Sequence, residues 1–377
     1  MFSLPVFYQP TAFMTVLVPS FVVPPIQYYQ DVITDPVSDP ESDSLSESAD
    51  NKDEKDIRML KYNGTCYFAK NVPLLAFCHA PEKLSHSALN KLLMATNFRL
   101  TTEELRENGY PLYGNGGPLV AHIKPTQFDK NRKMFAKEDD LQRKCVRCNE
   151  VVSKDGKRAN GQPCRYHLGK PLAVNSVYNC CYQKKGCYRS ELHVYDTLEE
   201  TELWKFVTAG PPTSKRNFRV FAIDCEMVYT DKGPALARLT VVDARKKLIM
   251  DVKIKPPGKV LCANTKFSGL TMKDVEEATE TLDGARTRLL RLINKDTILI
   301  GHSLENDFKA LRLIHKNVID TAVLFGREMK SKKALRFLSK HYLGKSIQQD
   351  AGRNHDSFED AATCIELLMY KLKTEKH

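Results

Sequence analysis

The run Val220-Phe221-Ala222-Ile223-Asp224-Cys225-Glu226 constrains this chain more than any other feature. Its apolar first half is the continuous pattern of a strand buried on both faces. Its last three residues place two carboxylates two positions apart. They therefore share one face, while Phe221, Ile223 and Cys225 point the other way into a core. Two acids side by side in such a strand repel each other and are costly unless a cation neutralises them. Oxygen donors of this kind suit Mg²⁺ or Mn²⁺. The rival explanation, an exposed acidic edge, fits the apolar run poorly.

Further acids follow in order. Ile298-Leu299-Ile300-Gly301 reads as a second buried strand, and Gly301-His302 turns into a helix carrying Asp307 beside Leu304, Phe308 and Leu311. Taken alone, Asp307 reads more readily as a surface acid than as a ligand. His302 reads as a structural histidine, and Asp320 as a structural acid at a strand end. Gly352-Arg353-Asn354 then leads to His355, five residues before Asp360. That spacing is poor for one helix face, so His355 is placed on the loop. Asp360 is placed on a helix whose buried side is Ala361, Ile365, Leu368 and Leu372. A loop histidine can titrate near neutral pH and remove a proton from water. Asp224, Glu226, Asp307, Asp360 and His355 together can hold two divalent metals. Such a pair, about 3.5–4 Å apart, clamps the attacking and leaving oxygens of a phosphodiester.

The pattern around these residues predicts strands near 218–226, 236–243 and 247–254, the last two joined as a hairpin through Ala244-Arg245. Helices are expected near 271–278 and 281–294, a strand at 297–301, a helix at 303–314 and a short strand at 317–320. Helices near 331–340 and 356–374 close the domain. Three leading strands followed by alternating helix and strand give an α/β class with a mixed five-stranded sheet over 218–377.

Ahead of it, 1–56 predicts a disordered acidic tail, with ten acids, two lysines and too little apolar content between Asp31 and Asp56 to fold alone. The net charge of +11 is therefore uneven: the tail carries −8 and the rest of the chain +19. A basic body suits a polyanion such as RNA or DNA. Residues 57–140 predict a small helical region. In it, Thr101 and Glu104 are spaced as a capping box, and Asn108-Gly109-Tyr110-Pro111 ends the helix. Residues 197–217 predict a linker through Gly210-Pro211-Pro212. No apolar run reaches the roughly 18–20 residues that span a bilayer. The prolines and lack of Lys or Arg in residues 1–30 resemble neither a secretory signal nor a mitochondrial presequence.

Eleven cysteines in a chain without an export signal are expected to be reduced, and clustered ones point to metal. Cys145 and Cys148, Cys164 and His167, Cys180 and Cys181, Cys187 and His193 put eight candidate Zn²⁺ ligands into 141–196. Deprotonated Cys and neutral His at such spacings build tetrahedral structural sites. A segment this short would draw much of its folding energy from the metal. One zinc or two are both compatible with eight ligands, and spacing leaves the pairing open. Tyr166, Tyr178, Tyr182 and Tyr188 interleave with ten Lys and Arg between Lys144 and Arg189, a mix that suits phosphates and stacked bases.

The motifs Phe-Ala-Ile-Asp-Cys-Glu-Met-Val, Gly-His-Ser-Leu-Glu-Asn-Asp-Phe-Lys-Ala-Leu and His-Asp-Ser-Phe-Glu-Asp-Ala resemble the three motifs of DEDDh 3′→5′ exonucleases. Thr265-Lys266-Phe267-Ser268-Gly269-Leu270-Thr271 and Val318-Ile319-Asp320-Thr321 narrow this to the eukaryotic RNA exonuclease 1 family. The resemblance implies a ribonuclease H-like fold and release of nucleoside 5′-monophosphates from single-stranded RNA with a free 3′ end. It implies that Asp224 bridges two metals, that Glu226 and Asp360 complete the first site, and that Asp307 holds the second. His355 would be the base, and Met227 would touch the terminal nucleotide. The Cys/His run resembles the CHORD zinc module, whose usual role is protein interaction, so both RNA and protein partners stay open for it. DNA as substrate and a zinc-dependent scaffold are the alternative functions. Nuclear location is implied by the resemblance, with the cytoplasm as the alternative, and no membrane partner is expected.

Overall fold

The computed structural model of the protein describes residues 81–114, 120–125, 134–137, 139–172, 177–212, 219–348 and 356–374, and the strand pair Lys61–Tyr62 with Thr65–Cys66. The acidic tail 1–56, the loop 352–354 and His355 lie outside the described residues.

A six-stranded mixed sheet organises the second half of the chain. Its strands are β1 (Val220–Thr230), β2 (Gly233–Asp243), β3 (Leu248–Lys253), β4 (Val260–Cys262), β5 (Ile298–Gly301) and β6 (Val318–Asp320). The order is β3-β2-β1-β5-β6. β1–β2 and β2–β3 are antiparallel, and β1–β5 and β5–β6 parallel. The five expected strands are all present. The sixth, β4, pairs with the far end of β1; three residues behind Pro256-Pro257-Gly258 are too few to show a period. β1 also runs four residues past Glu226, turning at Gly233, whose φ of 93° suits glycine. The β1–β2 register shifts between Glu226 and Met227. Such bulges re-aim side chains, and they recur beside active sites.

Both faces of β1 are covered. Phe221, Ile223 and Cys225 join Leu239, Val241 and Leu299 in one core. Two helices pack there, α3 (Leu282–Leu292) through Ala285 and Leu289, and α4 (Glu305–Leu311) through Phe308 and Leu311. Val220 and Ala222 face the second core with Ile298 and Ile300. This core holds α5 (Thr321–Met329), through Leu324 and Phe325, and the expected helix α6 (Ser357–Thr374), through Ala361, Ile365, Leu368 and Leu372. The helix expected at 331–340 is shorter, Leu335–Leu338, and loosens into a π-helical turn at Ser339–Leu343.

The two helices ahead of the Cys/His segment join these same cores. Helix α1 (His86–Ala95) sends Leu89 and Leu93 into the second core, and Asn90 donates to the carbonyls of Arg219 and Asp296 at 3.0 and 3.1 Å. Helix α2 (Thr102–Glu107) has the expected capping box, and Leu100, Leu105 and Tyr110 enter the first core. Residues 197–212 are tied down by two parallel pairings, Leu198–Glu199 with Phe135–Ala136 and Val207–Thr208 with Leu313–Ile314. The Cys/His segment forms two small hairpins, Gln142–Lys144 with Val151–Ser153 and Cys164–Tyr166 with Tyr188–Ser190. Its core of Cys145, Val152, Cys164, Val194 and Tyr195 takes in Leu261 of β4. Among the described residues, no helix is long and apolar enough to cross a membrane.

Candidate active site and metal centres

Four carboxylates gather where β1, α4 and α6 meet. Asp224 and Glu226 sit mid-strand on β1, the latter only 6% exposed. Asp307 on α4 is equally buried, not at the surface, and its Oδ1 accepts the Cys225 backbone N–H at 2.8 Å. Asp360 lies buried in the first turn of α6, where Oδ2 accepts from Gln348 Nε2 at 2.8 Å.

Electrostatics shows that these acids feel one another. Burial holds Asp224 well above the usual carboxylate range, and the charges of Asp307, Glu226 and Asp360 push the same way. Burial raises Glu226 to about 9, reinforced by Asp360 and Asp307. Asp307 rises to about 7 through burial, opposed by its bonds to Cys225. The opposing cation is Arg238, which faces Glu226 across the β1–β2 ladder and is held bidentate by Asp251 at 2.7 and 2.7 Å. One arginine leaves the acids short of positive charge. A buried all-oxygen donor set in that condition fits divalent Mg²⁺ or Mn²⁺.

The supporting shell is explicit. Asp320 accepts the backbone N–H of Ser303, Leu304 and Ala322 at 2.9, 3.3 and 2.8 Å, and the Tyr110 hydroxyl at 2.6 Å. It thereby fixes the β5–α4 turn, caps α5 and ties down the N-terminal segment, the structural role expected of it. His302 is structural too: its Nδ1 lies 2.9 Å from Thr321 Oγ1, and burial lowers its pKa. Arg238 and Gln348 were missed in the sequence. Arg238 could have been found from the β1–β2 register, whereas nothing local marks Gln348.

The eight Cys and His residues separate into two sets of four. Cys145, Cys148, Cys164 and His193 form one; His167, Cys180, Cys181 and Cys187 form the other. Within each set every donor lies within 4.8 Å of every other, and among the described residues these two sets meet that test. The four carboxylates gather more loosely. Two sulfurs at the Zn–S length of about 2.3 Å from a tetrahedral centre stand about 3.8 Å apart. Cys145 and Cys164 Sγ are 3.8 Å apart, and Cys180 Sγ is 4.0 and 3.6 Å from those of Cys181 and Cys187. In both sets a histidine presents Nδ1 to thiols, at 3.3 Å from Cys148 for His193 and 3.4 Å from Cys181 for His167. Each Nε2 lies 3.1 Å from a carbonyl, that of Gln162 or Lys184. A carbonyl only accepts, so Nε2 carries the proton and Nδ1 is left with a lone pair free to ligate a metal. A contact with Cys164 lowers the Cys145 thiol to about 4, and the Arg147 backbone N–H adds to the shift. All these features suit a tetrahedral metal. Cys145, Cys164 and His193 of the first set are buried and Cys148 is half-buried, whereas Cys180 and Cys187 of the second are exposed.

Met227 follows the bulge and lines a cavity of about 370 Å³.

A family model described as Exonuclease matches residues 221–368. A Caenorhabditis elegans relative, whose name RNA exonuclease pqe-1 is itself provisional, is 44% identical, over 78% of this chain and 19% of its own. The human RNA exonuclease 1 homolog is 36% identical over 78% of this chain and 24% of its own. RNA exonuclease 3 of Candida glabrata is 32% identical, over 83% of this chain and 78% of its own. The chain thus spans a quarter or less of the first two relatives and most of the third.

Proposed function

The chain belongs to the eukaryotic RNA exonuclease family, and from that premise we propose that it hydrolyses single-stranded RNA from the 3′ end, releasing nucleoside 5′-monophosphates. The observation that carries this is the convergence of half-buried Asp224 with buried Glu226, Asp307 and Asp360, short of positive charge. These four would hold two Mg²⁺ or Mn²⁺. When bound, the metals neutralise the acids and supply positive charge to the reacting phosphate.

The remaining work falls to the chain. The backbone of Cys225 and the Asp320 network fix where Asp307 points. Gln348 orients Asp360, and the charge of Arg238 favours the ionised form of Glu226 against its burial. His355 takes the proton from the attacking water, a role proposed from its place in the third motif alone. Met227 meets the terminal nucleotide. Each Cys/His set would hold one structural Zn²⁺. Exposed Tyr182 and Tyr188, with Lys266 Nζ 5.5 Å from the Tyr188 ring centre, offer bases and phosphates a surface beside the second set. Nuclear residence is part of the proposal, tested by imaging the tagged chain.

Asp224→Asn and Asp360→Asn test the site. Both variants should keep the wild-type circular dichroism and lose RNA hydrolysis. Wild-type cleavage rates in either would remove the metal assignment. His355→Ala should slow turnover more than it weakens RNA binding; unchanged turnover would remove it as base. Matched RNA and DNA oligonucleotides decide the sugar, and a folded, zinc-loaded chain that cuts neither would favour the scaffold.

A further inference from the structure

We propose that the thiol-bearing segment Lys144–Asn149 is one wall of the RNA site, so that the first Cys/His set and the nuclease share a single nucleotide-binding cleft. The inference rests on the nuclease reading and deepens it. The cavity of about 370 Å³ carries it. One wall is nuclease: Met227, one residue past Glu226, with Asn306, one residue before Asp307, and Lys309 on the next turn of α4. The Cys/His segment contributes Lys144, Val146 and Asn149 to the same lining. The cavity is thus attached to the strand and the helix that carry the acids.

Its chemistry suits a nucleotide. Lys144, Lys309 and Arg312 line it against Asp196; Arg312 is paired with Glu202 at 3.2 Å, so Lys144 and Lys309 are the cations it presents to phosphate. Met227 and Val146 offer apolar surface to a base, and Asn149 and Asn306 offer amides to base or ribose. Its volume falls in the range of about 300–1,000 Å³ common for ligand sites.

The thiol-side wall is fixed, not tethered. The Arg147 guanidinium lies 4.6 Å from the Tyr166 ring centre and 5.7 Å from that of Tyr229 on β1. Its Nη2 donates to Cys262 Sγ of β4 at 3.4 Å. Val146 N–H donates to the Val194 carbonyl at 2.9 Å. Arg147 therefore clamps the first set to the nuclease sheet, beside the cavity that Lys144 and Asn149 line together with Met227.

The test uses the full chain with Asp224→Asn, which binds RNA without consuming it, and a labelled six-nucleotide oligouridylate. Binding is followed by anisotropy against salt, with and without Lys144→Ala. Losing one phosphate contact on a single strand should make the slope of log K against log salt shallower by about 0.7. It should also raise KM for the same RNA in the hydrolysing chain, with kcat held within about twofold. Metal content and melting temperature must match the parent. In a second arm, 4-thiouridine at the three 3′-terminal positions should crosslink to the peptide containing 144–149. An unchanged salt slope with no adduct on that peptide would overturn the proposal. Failure of the nuclease reading looks different: the hydrolysing chain would leave the RNA intact, while binding and crosslinking still report on the cleft.

Discussion

If the buried acids await cations, removing one should stabilise the metal-free protein while destroying its activity. Glu226 is the sharpest case, because its pKa stands at about 9 against an ordinary 4.5. A carboxyl raised on folding costs nothing below its unfolded pKa. As pH climbs from about 4.5 the unfolded chain ionises while the folded one cannot, and stability falls until about pH 9. At pH 7 the expressed part is about 2.5 pKa units, or about 3 kcal/mol. Four acids share the repulsion, so this is a ceiling. Glu226→Gln removes the cost. The assay is urea unfolding from pH 5 to 9 in Mg²⁺-free buffer without chelator, which leaves tightly held zinc in place. Wild type should lose stability across that window, and the variant less, gaining up to about 3 kcal/mol at pH 7. Added Mg²⁺ should stabilise wild type much more than the variant. Parallel pH profiles and equal Mg²⁺ responses would refute the reasoning.

Two other outcomes follow from the supporting shell. Tyr110→Phe deletes a buried hydrogen bond to the Asp320 carboxylate and should cost about 1.5–3 kcal/mol in urea unfolding with the m-value unchanged; no measurable loss would mean that the N-terminal segment does not brace the site. Cys164→Ser and Cys187→Ser should each lower bound zinc from two per chain to one. The first should depress the melting temperature further, since Cys164 lies in the core shared with Leu261 and Cys187 is exposed; equal losses would contradict the shared core.

The strand carrying Asp224 and Glu226 was legible because burial on both faces leaves a continuous apolar run, and the Thr101–Glu104 cap because it is local. Helix α5 was overlooked although Asp320, whose side chain accepts from Ala322 N–H, marks its start. Asp307 read as a surface acid in isolation because its burial and its bond to the Cys225 N–H of β1 come from contacts distant in sequence. The metal sets could not be paired from spacing: the second, 167 to 187, is nested inside the first, 145 to 193. Nor could the segment boundaries reveal one shared body. Leu100 N–H bonds the Val318 carbonyl and Asn90 the carbonyl of Asp296, contacts more than two hundred residues apart that no local pattern encodes. The cleft between Lys144 and Met227 arises the same way, from Arg147 docking against Tyr229 and Cys262.

The most direct test of the central claim follows a 5′-labelled single-stranded RNA with the purified chain, Mg²⁺ or Mn²⁺, and a control without divalent metal. The account predicts a metal-dependent ladder that shortens from the 3′ end, releases nucleoside 5′-monophosphates and disappears in Asp224→Asn. Internal cleavage, shortening from the 5′ end, or an intact RNA with a folded and zinc-loaded chain would contradict it.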